Sequence, residues 1–171
     1  MYIKKTEKIS YVQKKSENEG KGGQPSKDST DKKILKELLA DSRLSYRQIS
    51  RKLKISVGTV LSRIKRLESE GIIKYYTTVL DHEKLGYELT AIIEVTVSKG
   101  KLLEVEEEIA KFPNVCAVYD ITGLTDALII AKFNRRQELS NFVKKLLSTP
   151  NVERTNTHLV LTTVKEDFRL I

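Results

Sequence analysis

The sequence is poor in several residue types, and each scarcity excludes a class of protein. Its 171 residues include a single cysteine, Cys116, so no intramolecular disulfide framework can form and a reducing cytosol is expected. No apolar run approaches the ~20 residues that a membrane-spanning helix needs. The first residues do not resemble the apolar segment of a secretory signal peptide. We therefore expect a cytoplasmic globular protein of one or two small domains.

Residues that bind metals or perform catalysis are equally scarce. Cys116, His82 and His158 lack the spacing of a metal-ligand set, so we expect no metal site. Cys116 lies between Val115 and Ala117, a setting typical of a small core residue rather than a nucleophile. The chain has no P-loop, no dinucleotide-binding glycine motif and no catalytic dyad. These absences predict a protein that is not an enzyme and needs no cofactor.

Positive charge, in contrast, is plentiful and unevenly distributed. The chain holds 31 Lys and Arg against 23 Asp and Glu, a net charge of +8. Residues 31–80 hold twelve basic and five acidic side chains, a net charge of +7, whereas residues 81–171 have a net charge of −2. This asymmetry predicts that the basic block meets a polyanion. Residues 1–29, rich in lysine and broken by glycines, are expected to form a flexible tail.

Hydrophobic periodicity predicts two domains with different folds. Residues 30–81 have the pattern of three short helices, followed by "IIKYYTTVL" as a strand or hairpin arm and "DHEKLGY" as a linker. Residues 82–171 alternate strands and helices in the order βαββαβ, and Pro-Asn-Val recurs at a helix-to-strand junction in each half. The predicted fold class is α+β, with a winged helix-turn-helix domain preceding a ferredoxin-like domain whose antiparallel sheet carries helices on one face.

The third helix, in "ISVGTVLSRIKRLESEG", carries the clearest functional pattern. Its apolar side consists of Val57, Val60, Leu61, Ile64 and Leu67. Its opposite side consists of Gly58, Thr59, Ser62, Arg63 and Arg66. Small residues permit close approach to a surface, hydroxyls bind phosphate or base edges, and arginine binds guanine or phosphate. This side therefore predicts a helix that reads the major groove of DNA, and Arg63→Ala or Arg66→Ala should weaken binding without unfolding the protein.

The preceding helix supplies further predicted DNA contacts. It opens at Ser45, with Gln48 three residues later in a capping-box pattern, and turns basic side chains outward. Ser56 is expected to cap the third helix, where unpaired N–H groups favour phosphate. The predicted DNA-contacting residues outside the third helix are Ser45, Tyr46, Arg47, Arg51 and Ser56. Solvation of these surfaces, or pairing of Arg63 and Arg66 with Glu70, is the structural alternative.

Four stretches together resemble the Lrp/AsnC, or feast/famine, family of regulators. They are "LSYRQISRKLKIS", "VLSRIKRLESEGIIKYYTTVLDHEKLGY", "VYDITGLTDALIIAKF" and "NVERTNTHLVL", within residues 30–168. The resemblance implies a DNA-binding domain followed by an Lrp-type ligand-binding domain for amino-acid sensing and assembly. It also implies homodimers that associate into tetramers, octamers or larger discs, and action as repressor or activator. Leu124 and Thr125 depart from the polar and aromatic residues common in the family's loop.

Four residues form a candidate site for an amino-acid effector. Gly123 permits close backbone approach, and Asp126 could pair with an ammonium group. Thr155 and Thr157 lie two residues apart on the last strand, so their hydroxyls project from one face. In the family that the chain resembles, the corresponding loop and strand help to form a pocket between subunits. The alternative is a simple hairpin turn with threonines that only favour a strand.

Three other functions compete with sequence-specific regulation by a dimer on palindromic DNA. An architectural protein that bends or condenses DNA would use the same residues. An RNA-binding protein would use the βαββαβ sheet, but such sheets need exposed aromatics, and only Tyr119 and Phe133 are available. An enzyme in the second domain would need a catalytic set that the sequence lacks. Sequence-specific binding of duplex DNA is the favoured interpretation.

Overall fold

The protein is described by a computed structural model over residues 29–171, so the predicted tail lies almost wholly outside the described residues. The chain divides into two compact units with the boundary between Thr77 and Thr78, and the last three residues group with the first unit. Each unit has its own hydrophobic core. No helix of residues 29–171 is both long and apolar enough to span a membrane.

The first unit is built from three helices around a small aliphatic core. They are α1 (Ser29–Ala40), α2 (Tyr46–Leu53) and α3 (Val57–Ser69). The fully buried core residues are Ile34, Ile49, Val60 and Ile64. Because each helix contributes at least one of them, burial of the apolar stripes holds the three helices together. Leu38, Leu44, Leu53, Ile55 and Ile73 cover this core in part.

Side-chain caps begin α2 and α3, and a tight turn joins the two helices. Ser45 caps α2 and forms the predicted capping box with Gln48, whose side chain accepts from the Ser45 N–H at 2.8 Å. Lys54 ends α2 in the left-handed conformation, and the Ile55 N–H donates to Ser50 O. Ser56 then caps α3, which confirms the second cap prediction as well. The short turn between two helices is the predicted helix-turn-helix.

The arm after α3 is not a strand, so that part of the prediction is wrong. Residues 72–80 form no strand, and no strand in residues 29–171 pairs with them. The Ile73 N–H donates to Leu67 O at 3.0 Å, and the Ile73 side chain packs on the helical core. β-Branched and aromatic residues favour extended backbone, but a strand also requires a hydrogen-bonding partner. A turn follows at residues 82–86, where the predicted linker lies.

The second unit confirms the predicted ferredoxin-like fold. Its elements are β1 (Leu89–Val97), α4 (Leu102–Ile109), β2 (Val115–Asp120), β3 (Ala127–Phe133), α5 (Arg136–Leu147) and β4 (Val152–Leu159). The sheet order is β2-β3-β1-β4, and all three pairings are antiparallel. Alternate residues of β1 and β3 point to the side of the helices and are buried there, with Val105, Ile109, Phe142 and Leu146 opposite them. The helices thus cover one face of the sheet.

The face of the sheet that the helices leave uncovered carries Cys116, which the sequence predicted to lie in the core. Cys116 is exposed, so its prediction as a core residue is wrong. The register between β2 and β3 shifts between Val115 and Ala117, and Cys116 is the extra residue at this irregularity. A bulge removes one residue from the alternation of a strand, which the flanking apolar residues could not reveal. On the same strand, Tyr119 is paired with Leu128 and is 44% exposed.

Candidate nucleic-acid interface and ligand site

The start of α3 carries small side chains whose hydroxyl groups form hydrogen bonds within the helix itself. Ser56 Oγ accepts from the Thr59 N–H at 3.0 Å and lies 2.8 Å from Thr59 Oγ1. Ser62 Oγ donates to Thr59 O at 3.1 Å. Gly58 is exposed, and the nearest atom to a Cβ built there would be Ser56 Oγ at 3.8 Å. A flat surface can therefore approach the backbone of the first turn closely, as the predicted reading helix requires.

The N-terminal end of α2 brings the other predicted contacts to the surface. Ser45 and Tyr46 line an open cleft of about 340 Å³, together with Glu68 and Tyr76. Arg47 and Arg51 are four residues apart on α2 and both are exposed, so they share one basic stripe of that helix. This stripe offers exposed positive charge, and the first turn of α3 offers accessible backbone.

Arg63 and Arg66 are engaged within the unit by a buried carboxylate. Asp31, in the first turn of α1, is 2% exposed. Its Oδ1 accepts from Arg63 Nη1 at 2.9 Å, and its Oδ2 accepts from Arg66 Nη2. The Arg66 Nε also lies 3.8 Å from Glu70 Oε1, the pairing that the structural alternative named. Because of these contacts, we expect alanine at either arginine to lower the stability of the fold, whereas the sequence alone predicted an effect on DNA binding only.

Burial shows where the outward side of α3 is centred. Val60, Ile64 and Leu67 are buried, whereas Val57, assigned to the apolar side, is 41% exposed. At 100° per residue, the side opposite the three buried residues is centred on Gly58, Ser62, Lys65 and Ser69. Lys65 is exposed and was missed by the sequence, because counting Val57 as core rotates the apparent outward side away from it. Arg63 and Arg66 lie on one flank of this side.

Tyr76, in the arm after α3, forms a hydrogen bond to α3 that depends on the protonation of its hydroxyl group. Its hydroxyl donates to Glu68 Oε1 at 2.9 Å. Burial and this hydrogen bond to the carboxylate raise the pKa of Tyr76 from 10.0 to about 12. The arm residue and the helix residue both line the cleft next to Ser45 and Tyr46.

We expect a loss of stability in alkali that depends on Tyr76. Since its pKa is higher in the folded state, the unfolded chain loses the proton first, and stability falls as pH rises from 10 toward 12. Below pH 10 this contribution is fully present. Urea denaturation at several alkaline pH values should show a shallower decline for Tyr76→Phe, which has no hydroxyl to titrate. Equal declines for both proteins would contradict the assignment.

The candidate ligand residues do not converge within one chain. Gly123 has a φ of +140° in an exposed turn, and Leu124 is 97% exposed. Asp126 Oδ2 accepts from the Val97 N–H at 2.8 Å, so its carboxylate ties the turn to β1. Thr155 and Thr157 pair with Val95 and Ile93 on the β1–β4 ladder. Because β1 lies between β3 and β4, about 10 Å of sheet separates Asp126 from the threonines.

Asp126→Ala should therefore destabilise the second unit whether or not an effector is present. The substitution leaves a partly buried Val97 N–H without its acceptor, at a cost of about 1–3 kcal/mol. Asp126→Asn retains an acceptor oxygen and should cost less. Thermal unfolding of both variants without added amino acid measures the difference. If Asp126→Ala unfolds like the wild type, the carboxylate has no structural role.

The uncovered sheet face does not form an aromatic platform of the kind that binds RNA. Tyr119 is exposed there, but Phe133 is fully buried, with its side chain on the face covered by the helices. Polar contacts occupy the β1–β4 side of the uncovered face, where Asn156 Nδ2 lies 3.2 Å from Glu94 Oε2 and 3.0 Å from His158 Nε2. These observations do not favour stacking of bases on the sheet.

Comparisons with known proteins agree with this geometry. The chain matches the profile of the Lrp/AsnC ligand binding domain over residues 90–170 and that of a winged helix-turn-helix DNA-binding domain over residues 27–74. An uncharacterised HTH-type transcriptional regulator of Pyrococcus furiosus is 52% identical over 143 residues, which are 84% of this chain and 97% of the relative.

Two solved structures are also similar over most of the chain. A transcriptional regulator from Neisseria meningitidis, in complex with L-Met, is 32% identical with a TM-score of 0.78, covering 85% of this chain and 97% of that one. LrpC of B. subtilis is 32% identical with a TM-score of 0.75, covering 84% of this chain and all of that one. Both units described above therefore have counterparts in solved structures of regulators.

Proposed function

Because this chain belongs to the Lrp/AsnC family of helix-turn-helix transcriptional regulators, we propose that α3 reads a specific sequence in the major groove of DNA. The observation that carries the proposal is the outward side of α3. There Gly58 and Ser62 allow close approach, and Lys65 adds an exposed charge in the next turn. The hydroxyls of Ser56 and Thr59 close the first turn of the helix, where the N–H groups favour phosphate.

The remaining predicted contacts are assigned to the DNA backbone. Arg47 and Arg51 form the exposed basic stripe of α2, and Ser45 and Tyr46 lie at its start. In helix-turn-helix proteins the helix before the reading helix crosses the phosphate backbone, which suits guanidinium and hydroxyl groups. Arg63 and Arg66 contribute positive charge at the flank of α3 while they remain held by Asp31. Backbone contacts of this kind fix register and supply the salt-dependent part of the affinity.

The proposed binding species is a homodimer on a palindromic operator. Two copies of α3 would enter successive major grooves about 34 Å apart. Selection of duplexes from a random-sequence pool by the full chain tests this directly, and it should yield an inverted repeat with half-sites about one helical turn apart. Recovery of sequences with no common motif would contradict specific recognition and favour an architectural role. An RNA duplex of matched length serves as competitor and should not displace the selected DNA.

Lys65→Ala should weaken DNA binding without changing stability. Truncation of an exposed lysine on the outward side of α3 removes one phosphate or base contact, so affinity for the selected duplex should fall about tenfold. If the contact is to phosphate, the slope of log K against log salt should decrease by about 0.9. Lys144 is an exposed lysine on α5 of the second unit, so Lys144→Ala is the matched control and should bind normally. Unaltered binding by Lys65→Ala would remove this residue from the interface.

We also propose that the second unit binds a free amino acid. The neisserial relative was solved with L-Met, and the ligand-binding profile covers residues 90–170 of this chain. Since β1 separates Asp126 from Thr155 and Thr157 within one chain, the proposed pocket forms where the Gly123–Asp126 turn of one subunit meets β4 of another. Isothermal titration of the full chain with each of the twenty amino acids, beginning with L-methionine, tests this proposal. No heat of binding with any of them would contradict it.

A further inference from the structure

The clamp formed by Asp31, Arg63 and Arg66 joins the beginning of α1 to the flank of the reading helix. Asp31 and Lys132 are the two charged residues of the range 29–171 that are buried. Each carboxylate oxygen of Asp31 accepts from a different arginine, 32 and 35 residues further along the chain. Charge-assisted bonds to both arginines add a directional constraint to the aliphatic packing of α3.

The chemistry of the three groups gives the clamp two effects. Guanidinium groups are planar and donate in a fixed fork, so bonds to both arginines restrict their direction as well as their distance. The single negative charge also offsets one of two positive charges on the flank of α3. The Arg63 side chain is 25% exposed and that of Arg66 is 42% exposed, so both still border the surface that faces DNA.

We propose that Asp31 is a positioning residue for DNA recognition. Its buried carboxylate fixes how α3 and its two arginines are presented, and it limits the positive charge that they offer to any DNA. Discrimination between DNA sequences thus depends on a residue that does not itself reach the DNA. The inference rests on the proposed reading role of α3.

Asp31→Asn in the full chain separates this role from a purely structural one. Asparagine keeps the size and one acceptor oxygen but removes the charge. We expect affinity for a scrambled duplex to rise and its salt slope to steepen by about 0.9, as one more phosphate contact would produce. The ratio of the affinity for the duplex selected by the wild type to that for the scrambled duplex should fall about tenfold. A mere loss of folded protein would lower both affinities equally and leave the slope unchanged, and that result would overturn the proposal.

A matched control and a second variant complete the experiment. Glu37 pairs with Lys52 at 2.6 Å on the surface of the same unit, so Glu37→Gln makes the same change of charge and should leave the ratio of affinities unaltered. If Asp31→Asn does not fold, Asp31→Glu keeps the charge but displaces the carboxylate by a methylene. Asp31→Glu should lower the ratio of the affinity for the selected duplex to that for the scrambled duplex, without steepening the salt slope. An unaltered ratio would overturn the proposal.

The clamp also predicts that Asp31 acts through its arginines. The double variant Asp31→Asn, Arg63→Gln should show a ratio of affinities no lower than that of Arg63→Gln alone. Independent, multiplicative losses would overturn the positioning role. Failure of the wild type to select any sequence is a different result, since it would contradict the proposed reading function before any variant is made.

Discussion

Arg63→Ala is expected to lower the free energy of unfolding by about 3 kcal/mol. The substitution removes one partner of a buried ion pair, which typically costs ~3–5 kcal/mol because the remaining charge is left uncompensated. Asp31 is 2% exposed, so in the intact protein its carboxylate depends on protein donors rather than on water. Arg66 still donates to the other carboxylate oxygen, which places the expected cost at the low end of that range. Urea denaturation of the full chain, monitored by circular dichroism, measures the change.

Arg43→Ala is the control, since it removes the same type of ion pair at an exposed position. Arg43 Nε lies 3.0 Å from Asp41 Oδ1, and the two side chains are 89% and 40% exposed. Exposed pairs contribute little to stability, so the denaturation midpoint should not move. Should Arg63→Ala unfold at the wild-type midpoint and lose only DNA affinity, the arginine would be the direct DNA contact that the sequence alone predicts. The two results cannot be confused.

The contrast at Arg63 shows where sequence patterns reach their limit. Local sequence patterns correctly predicted three helices, both serine caps and the βαββαβ order, because each depends on neighbours within a few residues. The partner of Arg63 lies 32 residues earlier, and nothing in the spacing of the helices indicates which acid would be buried. From the sequence alone, Asp31 is recognised only as an acidic residue that stabilises the first turn of a helix.

The other discrepancies have the same physical origin. Residues 72–80 have strand-forming side chains, but strand formation depends on a partner elsewhere in the chain. Cys116 was assigned to the core from its neighbours, whereas a shift in strand register placed it outside. Val57 was counted as buried because it is apolar. It is 41% exposed, so the outward side of α3 is centred closer to Lys65 than the sequence predicted. Local sequence patterns predict neither the long-range pairing of strands nor which apolar side chains are fully buried.

Gly58→Glu is expected to abolish sequence-specific DNA binding while the protein remains folded. Gly58 is the second residue of α3, and a Cβ there makes only an ordinary contact with Ser56 Oγ at 3.8 Å. Glutamate has the better helix propensity and suits the positive end of the helix dipole, so stability should stay constant or rise by about 0.5–1 kcal/mol. In the complex, the new carboxylate would face phosphates where close approach is needed. Like charges in contact cost several kcal/mol, which corresponds to a loss of affinity on the order of 100-fold or more.

The control for Gly58→Glu places the same charge at the same helix position in the other unit. Leu103 is the second residue of α4 and is 52% exposed, so Leu103→Glu should leave both stability and DNA affinity unchanged. Gly58→Ala separates shape from charge, because it adds only the methyl group and should weaken binding less than glutamate does. Gel-shift titrations with the selected duplex, alongside thermal unfolding, measure both properties. If Gly58→Glu binds that duplex as tightly as Leu103→Glu, the first turn of α3 does not approach DNA, and the reading surface must lie elsewhere on the first unit.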